Sequence, residues 1–250
     1  MINSEFFNRE EMKDLLSEFL SLYNRRVVRD QSGGMKSPHL FSSWFILKKI
    51  SPNFIVESGV WKGLGTWFFE EACPNSKIFS IDPNLSPREY ISPRATYSTL
   101  DFTLQEWSHL DPDKTILFFD DHQNPLERIK FSRERGFKKF IFEDNYPPNQ
   151  GDCYSLKKAL SQKDWVIDSG GSKKWFRPIK EDYDFLIENT LVYQEMPPIY
   201  KSSTTRWGDS WDDNNYPTPD SLLIEEESYL YPEFYSENKS YTWICYLELK

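Results

Sequence analysis

The sequence predicts an α/β domain: a mostly parallel sheet with helices on both faces, finished by an antiparallel C-terminal strand. Three observations predict it. Short apolar runs of strand length alternate with segments of helical period from residue 52 to about residue 165. The runs at 54–58, 77–81, 115–119 and 139–143 lead into glycines or acids, as a pocket at the C-terminal edge of a parallel sheet requires. Residues 241–250, YTWICYLELK, form a strand pattern after a long irregular stretch, and such a strand can join the sheet antiparallel.

In chain order, residues 5–23 place Phe6, Phe7, Leu15, Leu16, Phe19, Leu20 and Tyr23 at helical spacing. Residues 25–39, RRVVRDQSGGMKSPH, are polar and turn-rich. Pro38 then opens a second helix, which Ser51-Pro52 stops. Strand 54–58 leads to helix 65–73, strand 77–81, a polar segment, strand 96–98 and a helix near 103–109. Strand 115–119, helix 124–135, strand 139–143 and helix 153–162 complete the alternation, with right-handed crossovers expected throughout. After Trp165 the rhythm fails. EDYDFLIENTLVYQ reads as helix, and TTRWGDSWDDNNYPTPD as a long polar loop. The expected organisation is an N-terminal helical segment (1–51), a ligand-binding core (52–165) and an insertion on the acceptor side that ends in the last strand (166–250).

Composition narrows the function. A chain of 250 residues can bury a full-sized core. Its net charge of −9 argues against a general nucleic-acid binder, which needs a basic face. No run of 18 apolar residues predicts a membrane span. The acidic, amphipathic start MINSEFFNREEMKDLL is unlike a signal peptide. Three scattered cysteines, Cys73, Cys153 and Cys245, fit a reducing compartment, so a cytoplasmic location is expected. Aromatic residues make up 17% of the chain, and many follow residue 175, as a loop-rich region held by large side chains would need.

The stretch Glu57-Ser58-Gly59-Val60-Trp61-Lys62-Gly63-Leu64-Gly65 carries glycines where a strand must turn sharply and let a ligand approach the backbone. It is neither G-x-G-x-x-G nor a Walker motif, so NAD and ATP are disfavoured. Asp82 ends the next strand, where an acid can accept both hydroxyls of a ribose. Either a ligand turn or a close-packed strand–helix turn satisfies these residues, and Asp82 before Pro83 also suits a plain turn.

A second set of acids ends two later strands: Asp120-Asp121-His122 and Glu143-Asp144-Asn145. Adjacent parallel strands lie about 4.8 Å apart, so these side chains can converge on one ion. Hard oxygen donors suit Mg²⁺, Mn²⁺ or Ca²⁺ better than zinc, and such acids repel one another without a cation. Solvated strand-end carboxylates are the plain alternative. His39 and His109 read as structural, His39 being the better site candidate because it follows the flexible Gly33-Gly34-Met35-Lys36.

VESGVWKGLGT followed by IFSID resembles the first two motifs of class I S-adenosylmethionine-dependent methyltransferases. FFDDHQ with FIFEDNYPPNQGDCYSLKKAL resembles one branch, the cation-dependent macrocin- and novobiocin-type O-methyltransferases and the cephalosporin-hydroxylase-like proteins. The resemblance covers about residues 52–162 and implies a Rossmann-like class I methyltransferase sheet. It places Glu57 and Gly59 beside the methionine and ribose of the cofactor, with Gly63 and Gly65 in the same turn, Asp82 on the ribose hydroxyls and Asp101 beside the adenine. It implies Mg²⁺ or Mn²⁺ held by Asp120, Glu143 and Asp144. The branch often separates two acids after the fourth strand, whereas here Asp120 and Asp121 are adjacent.

The implied reaction is methyl transfer to a hydroxyl of a small, sugar-like acceptor, with His122 or Asp121 taking the proton. Lys36 and Lys62 are candidates to orient an anion, and Trp207 and Trp211 to stack on a ring. Neither a nucleic-acid nor a membrane partner is expected, and a homo-oligomer is left open. Two rival functions fit the same features: a metal-dependent nucleotide-sugar glycosyltransferase, or a non-catalytic ligand-binding protein.

Overall fold

A computed structural model describes residues 2–250. Two short helices, α1 (Arg9–Asp14) and α2 (Leu16–Asn24), stand where the sequence predicts one, because the chain turns at Leu15. The longer α3 (Ser37–Ile50) begins with Pro38 in its first turn and ends on Ser51 in the left-handed region. Then come β1 (Phe54–Ser58), α4 (Leu64–Ala72), β2 (Lys77–Ile81), β3 (Ala95–Ser98), β4 (Thr115–Phe119), α5 (Pro125–Arg133) and β5 (Lys139–Phe142). These follow the sequence reading closely. The expected helix near 103–109 is only a 3₁₀ turn at Phe102–Leu104, capped by the Asp101 side chain. The helix expected over 153–162 shortens to α6 (Leu156–Ser161), which Ser155 caps.

Beyond Trp165 the structure is more regular than the sequence reading. A hairpin, β6 (Trp165–Ser169) and β7 (Ser172–Phe176), turns on Gly170-Gly171. Both glycines have positive φ, the conformation of a tight two-residue hairpin turn. The segment expected to be one helix divides into α7 (Lys180–Asn189) and β8 (Thr190–Glu195). Long loops then lead through α8 (Pro232–Ser236) to β9 (Cys245–Leu249).

Seven strands form one sheet in the order β3-β2-β1-β4-β5-β9-β8. Pairing is parallel from β3 to β5, and β9 runs antiparallel to both β5 and β8. The final strand therefore inserts antiparallel, as predicted. Alternate residues of each strand feed two cores. Ile55, Ile78, Ile116 and Phe118 face α2, α3, α4 and the aromatic loops, including Phe234 and Trp243. Val56, Ile81, Leu117 and Phe119 face the other layer with Phe102, Trp107, Ile129 and Leu156. The N-terminal helices and the C-terminal loops thus share one core. Strand order reverses between β1 and β4, so a crevice opens at their carboxyl ends. Among the described residues no helix is long and apolar enough to cross a membrane.

Candidate functional site

Glu57 near the end of β1 is fully buried. Its Oε2 accepts hydrogen bonds from Thr66 Oγ1 at 2.6 Å and Ser80 Oγ at 2.7 Å, whereas Oε1 is buried without a partner. Burial pushes this carboxyl up to about 7, with the charges of Asp82 and Glu70 adding to the rise and the two hydroxyls opposing it. Gly59 follows with φ +99°, and a Cβ there would stand 1.9 Å from the Asp120 carbonyl oxygen. That glycine lets the ends of β1 and β4 approach each other, so a side chain there would strike protein backbone before it reached any ligand. A Cβ on Gly63 would strike the Tyr90 carbonyl at 2.4 Å. At Gly65 the missing Cβ opens a cradle instead, 2.7 Å from Glu57 Oε1 and 3.1 Å from Met35 Cε.

Asp82 binds the glycine turn itself. Its Oδ2 accepts from the backbone N–H of Val60 (3.0 Å) and Trp61 (3.1 Å), and Oδ1 from Asn84 N–H (2.9 Å). Residues 28–36 lie over this turn. The Trp61 indole donates to the Ser32 carbonyl at 2.9 Å, and Lys62 pairs with Asp30 at 2.5 Å and Glu89 at 2.8 Å. Lys62 is thereby committed to the overlying strap and to Glu89. The space left between strap and turn is about 30 Å³, with Gln31, Met35, Glu57, Gly59, Gly65 and Asp120 among its walls.

Next to it is a pocket of about 370 Å³ that contains the acids. Asp120, His122, Glu143, Asp144 and Asp152 line it together with Tyr146, Lys36, Arg206 and Lys239. Asp120 belongs to both pockets. Asp120, His122 and Asp144 offer ligand atoms that all lie within 4.8 Å of one another. His122 adopts φ +52°, unusual for a non-glycine residue, and its Nδ1 lies 3.1 Å from Asp152 Oδ1. Its Nε2 faces Asp144 Oδ2 at 3.7 Å.

The electrostatics follow from this crowding. Burial, then the neighbouring acids, push Asp120 well above the ordinary carboxyl range. Burial and Glu143 do the same to Asp144, against the opposing pull of His122. Asp152 and Asp144 push His122 up to about 9 in spite of its burial. Asp144 Oδ2 is buried with no hydrogen-bond partner. An orphaned carboxylate oxygen beside a second carboxylate and an imidazole is a donor set that fits a divalent cation.

Glu143 is held differently from Asp120 and Asp144. It accepts a hydrogen bond from His39 Nδ1. His39 Nε2 in turn accepts the backbone N–H of Thr242 at 2.8 Å. A backbone N–H can only donate, so the ring proton sits on Nδ1 and is given to Glu143. Burial opposes the Glu143 charge, but His39, Asp144 and Arg206 hold its carboxyl below the ordinary range.

The structure thus gathers Asp120, His122, Glu143 and Asp144 into one pocket and sets Glu57, Gly59 and Gly65 beside it. It keeps others away. Asp121 turns aside, accepting from Ser58 Oγ at 2.7 Å and Arg128 Nε at 3.1 Å. Asp101 forms a two-point pair with Arg128 at 2.8 and 2.7 Å and accepts from Thr103 N–H. Arg128 therefore already occupies both acids: it holds the Asp101 carboxyl well below its usual range and leaves Asp121 badly placed to take a proton. Gly63 packs under Tyr90, and His109 stacks on Trp107 and meets Phe79 edge-on. Trp211 is buried and Trp207 packs against Tyr146 and Trp243, so neither indole is among the residues lining the acid pocket.

Sequence reasoning missed Asp152, Tyr146 and Lys239. Asp152 and Tyr146 belong to the loop after β5, where Gly151 lies against the Tyr146 ring and buried Lys158 donates to the Cys153 and Val166 carbonyls at 2.6 and 2.7 Å. The glycine before Asp152 was the available signal. The three cysteines are free and buried.

No family model matches this chain, and no curated protein matches it. Solved structures do. CmcI in an apo form is 20% identical over 52% of this chain and 64% of its own, with a TM-score of 0.38. A Mg–SAM structure of CmcI is 22% identical over 50% of this chain and 65% of its own, with a TM-score of 0.37. The SAH-bound methyltransferase PaMTH1 of Podospora anserina is 13% identical over 57% of this chain and 74% of its own, with a TM-score of 0.40. This chain spans less than two thirds of the length of both CmcI structures. The order β3-β2-β1-β4-β5-β9-β8 with β9 alone reversed, flanked by helices on both faces, is the Rossmann-like sheet of class I methyltransferases.

Proposed function

We propose that this protein transfers a methyl group from S-adenosylmethionine to a hydroxyl of a small metabolite, with a divalent cation, Mg²⁺ or Mn²⁺, assisting. One observation carries the reading: Asp120 is a wall of both the glycine-turn pocket and the acid pocket, so cofactor and acceptor sites adjoin at the sheet's switch point.

The residues divide the work. Glu57, with Oε1 free and facing the cradle at Gly65, suits the ammonium of a methionine-like group. The glycine turn, braced by Asp82, presents backbone without side chains in the way. Asp120 and Asp144 would hold the cation, and His39 keeps Glu143 charged and fixed behind them. His122, held at Nδ1 by Asp152 and pushed up to about 9 by Asp152 and Asp144, carries a proton in the free protein, so it would take the acceptor proton only once a bound cation offsets those carboxylates and lowers its pKa. When bound, the cofactor supplies the methyl group, and the cation neutralises the acids and lowers the pKa of the acceptor hydroxyl.

Calorimetric titration of S-adenosylhomocysteine, with and without Mn²⁺, tests this. Binding of the cofactor product, together with Mn²⁺ binding that Asp144→Asn removes, is expected. A folded protein that ignores S-adenosylhomocysteine at millimolar concentration would overturn the reading.

A further inference from the structure

The acid pocket has a second electrostatic character that metal binding does not use. Lys36, Arg206 and Lys239 line it together, from three separate parts of the chain. Four carboxylates, Asp120, Glu143, Asp144 and Asp152, line the same pocket. Among the described residues, none of the three cations forms an ion pair or a side-chain hydrogen bond with them or with anything else. Other lysines among the described residues, Lys13, Lys77 and Lys138 included, are also unpaired; what sets Lys36, Arg206 and Lys239 apart is that they share one cavity. Arg206 and Lys239 are exposed whereas Glu143 and the Asp144 carboxylate are nearly buried, so the cations form a positive rim over an acidic floor of Asp120, Glu143 and Asp144.

The rim is held in place by its backbone. Glu237 accepts from Tyr23 Oη at 2.8 Å and from the Ser37 N–H at 2.9 Å, which ties the segment that carries Lys239 to the start of α3, where Lys36 is the preceding residue. Arg206 sits in a tight loop closed by Thr205 N–H to the Asp209 carbonyl at 2.8 Å. The Asp209 carboxylate anchors that loop to Gln150 at 2.7 Å and Tyr216 at 2.8 Å. The loop is thus braced against the segment that carries Asp152. Braced backbones leave only the side chains themselves to be ordered on binding.

Resting on the methyltransferase reading, we propose that the acceptor is a hydroxylated oxyanion, a small molecule that carries a carboxylate or phosphate as well as the hydroxyl that is methylated. Lys36, Arg206 and Lys239 take the anion, and the acidic floor with its cation takes the hydroxyl. A neutral sugar would satisfy the floor and leave the rim unused. The split also sets orientation, because the rim draws the anionic end of the molecule and leaves the hydroxyl to the cation on the acidic floor.

The test uses matched probes on the full chain, by calorimetry or ligand-observed NMR, with Mg²⁺ present and in the presence and absence of S-adenosylhomocysteine. Glucuronate and glucose phosphate are compared with glucose, and a hydroxybenzoate with the matching hydroxybenzyl alcohol. At least one anionic member should bind about tenfold or more tighter than its neutral partner, and weaken as salt is raised. A carboxylate hit or a phosphate hit then identifies the anion. Arg206→Gln and Lys239→Gln should each remove most of that preference, Arg206→Lys should restore part of it, and Lys163→Gln, at a separate pocket, should not matter. Equal binding of charged and neutral members, binding of none of the anions, or a preference that survives Arg206→Gln with Lys239→Gln would overturn the proposal. S-adenosylhomocysteine affinity is read separately, so failure of the cofactor assignment and failure of the anion assignment give different results.

Discussion

His39 gives its Nδ1 proton to Glu143 across 104 residues of sequence, and Thr242 behind the ring fixes that tautomer. The pair joins α3, the end of β5 and the lead-in to β9 in one hydrogen-bonded line. Glu143 is only 8% exposed, so its charge depends on this donor. Removing the hydrogen-bond donor of a buried charged group typically costs about 1.5–3 kcal/mol. His39→Ala should therefore lower stability by about that much, whereas His39→Asn, whose amide nitrogen reaches about as far as Nδ1, should lose clearly less. Urea unfolding measures both. Equal losses would show that packing, not the donor, is what His39 supplies.

The same pair engages Glu143, so the proposed cation would rest on the other acids. The Glu143 carboxylate is already engaged, while Asp144 Oδ2 has no partner and Asp120 and His122 lie within ligand reach of it. Asp120→Asn and Asp144→Asn should each weaken Mn²⁺ by about tenfold or more, a larger effect than Glu143→Gln produces. Electron paramagnetic resonance of bound Mn²⁺ reads this without turnover. A Glu143→Gln protein that alone loses the ion would reverse the assignment.

Asp82→Ala tests the brace under the glycine turn. Three backbone N–H groups lose their acceptor, and hydrogen bonds to charged groups contribute about 1.5–3 kcal/mol each at most. Stability should fall by about 2 kcal/mol and S-adenosylhomocysteine binding should weaken with it, because in the proposed site the turn is what the cofactor meets. A variant that loses ligand affinity with unchanged melting would show that Asp82 acts on the ligand alone.

Much of this was legible in the sequence where short-range pattern sets the structure. Strands 54–58, 77–81 and 115–119 coincide with β1, β2 and β4, because apolar runs between turn residues leave few choices. The antiparallel β9 was legible for the same reason. Gly170-Gly171 carried a hairpin signal that went unread, and Thr190–Glu195 was absorbed into a helix although its burial alternates as a strand's does. The site was half legible. Acids at strand ends converge because the sheet is parallel, but which acid faces the pocket depends on partners far away. Arg128 draws Asp121 and Asp101 aside, and His39 and Thr242 fix Glu143; none of these pairings has a local sequence signature.

Glu57 gives the pH prediction. Burial raises its carboxyl from the ordinary 4.5 to about 7 in the folded chain. Between those values the native state keeps a proton that the unfolded chain releases, so stability falls as pH rises through the window. The difference is fully developed above the folded value and absent below the unfolded one. At about 1.4 kcal/mol per unit it amounts to about 3 kcal/mol. Glu57→Gln removes the titration, so its stability relative to the parent should improve by about that amount from about pH 5 to about pH 8. Parallel stability curves for the two proteins would show that Glu57 titrates normally.

The tryptophans of the 202–220 loop give the last prediction, and here their packing argues for anchoring instead of the acceptor role the sequence suggested. The sequence placed Trp207 and Trp211 on the acceptor side. In the structure Trp211 is 8% exposed and stacks on Tyr241 with ring centroids 6.0 Å apart. Its indole N–H donates to Thr218 Oγ1 at 3.1 Å, and Trp243 donates to the same oxygen at 2.8 Å. Thr218 passes its own proton to the Tyr216 carbonyl at 2.6 Å, so one hydroxyl closes a network of two indoles and the backbone. That arrangement pins the loop to the core. Trp211→Ala should cost about 3–5 kcal/mol, the range for emptying a buried aromatic site, and should weaken every ligand in proportion. Trp211→Phe keeps the stack and loses one hydrogen bond, so about 1 kcal/mol is expected. Arg206, exposed at the tip of the same loop and facing the acids, should behave in the opposite way. Arg206→Gln should leave the melting temperature within about one degree and alter only what the acid pocket binds. If Trp211→Ala kept full stability and lost only the acceptor, the indole would be a binding surface after all and the anchoring account would be wrong.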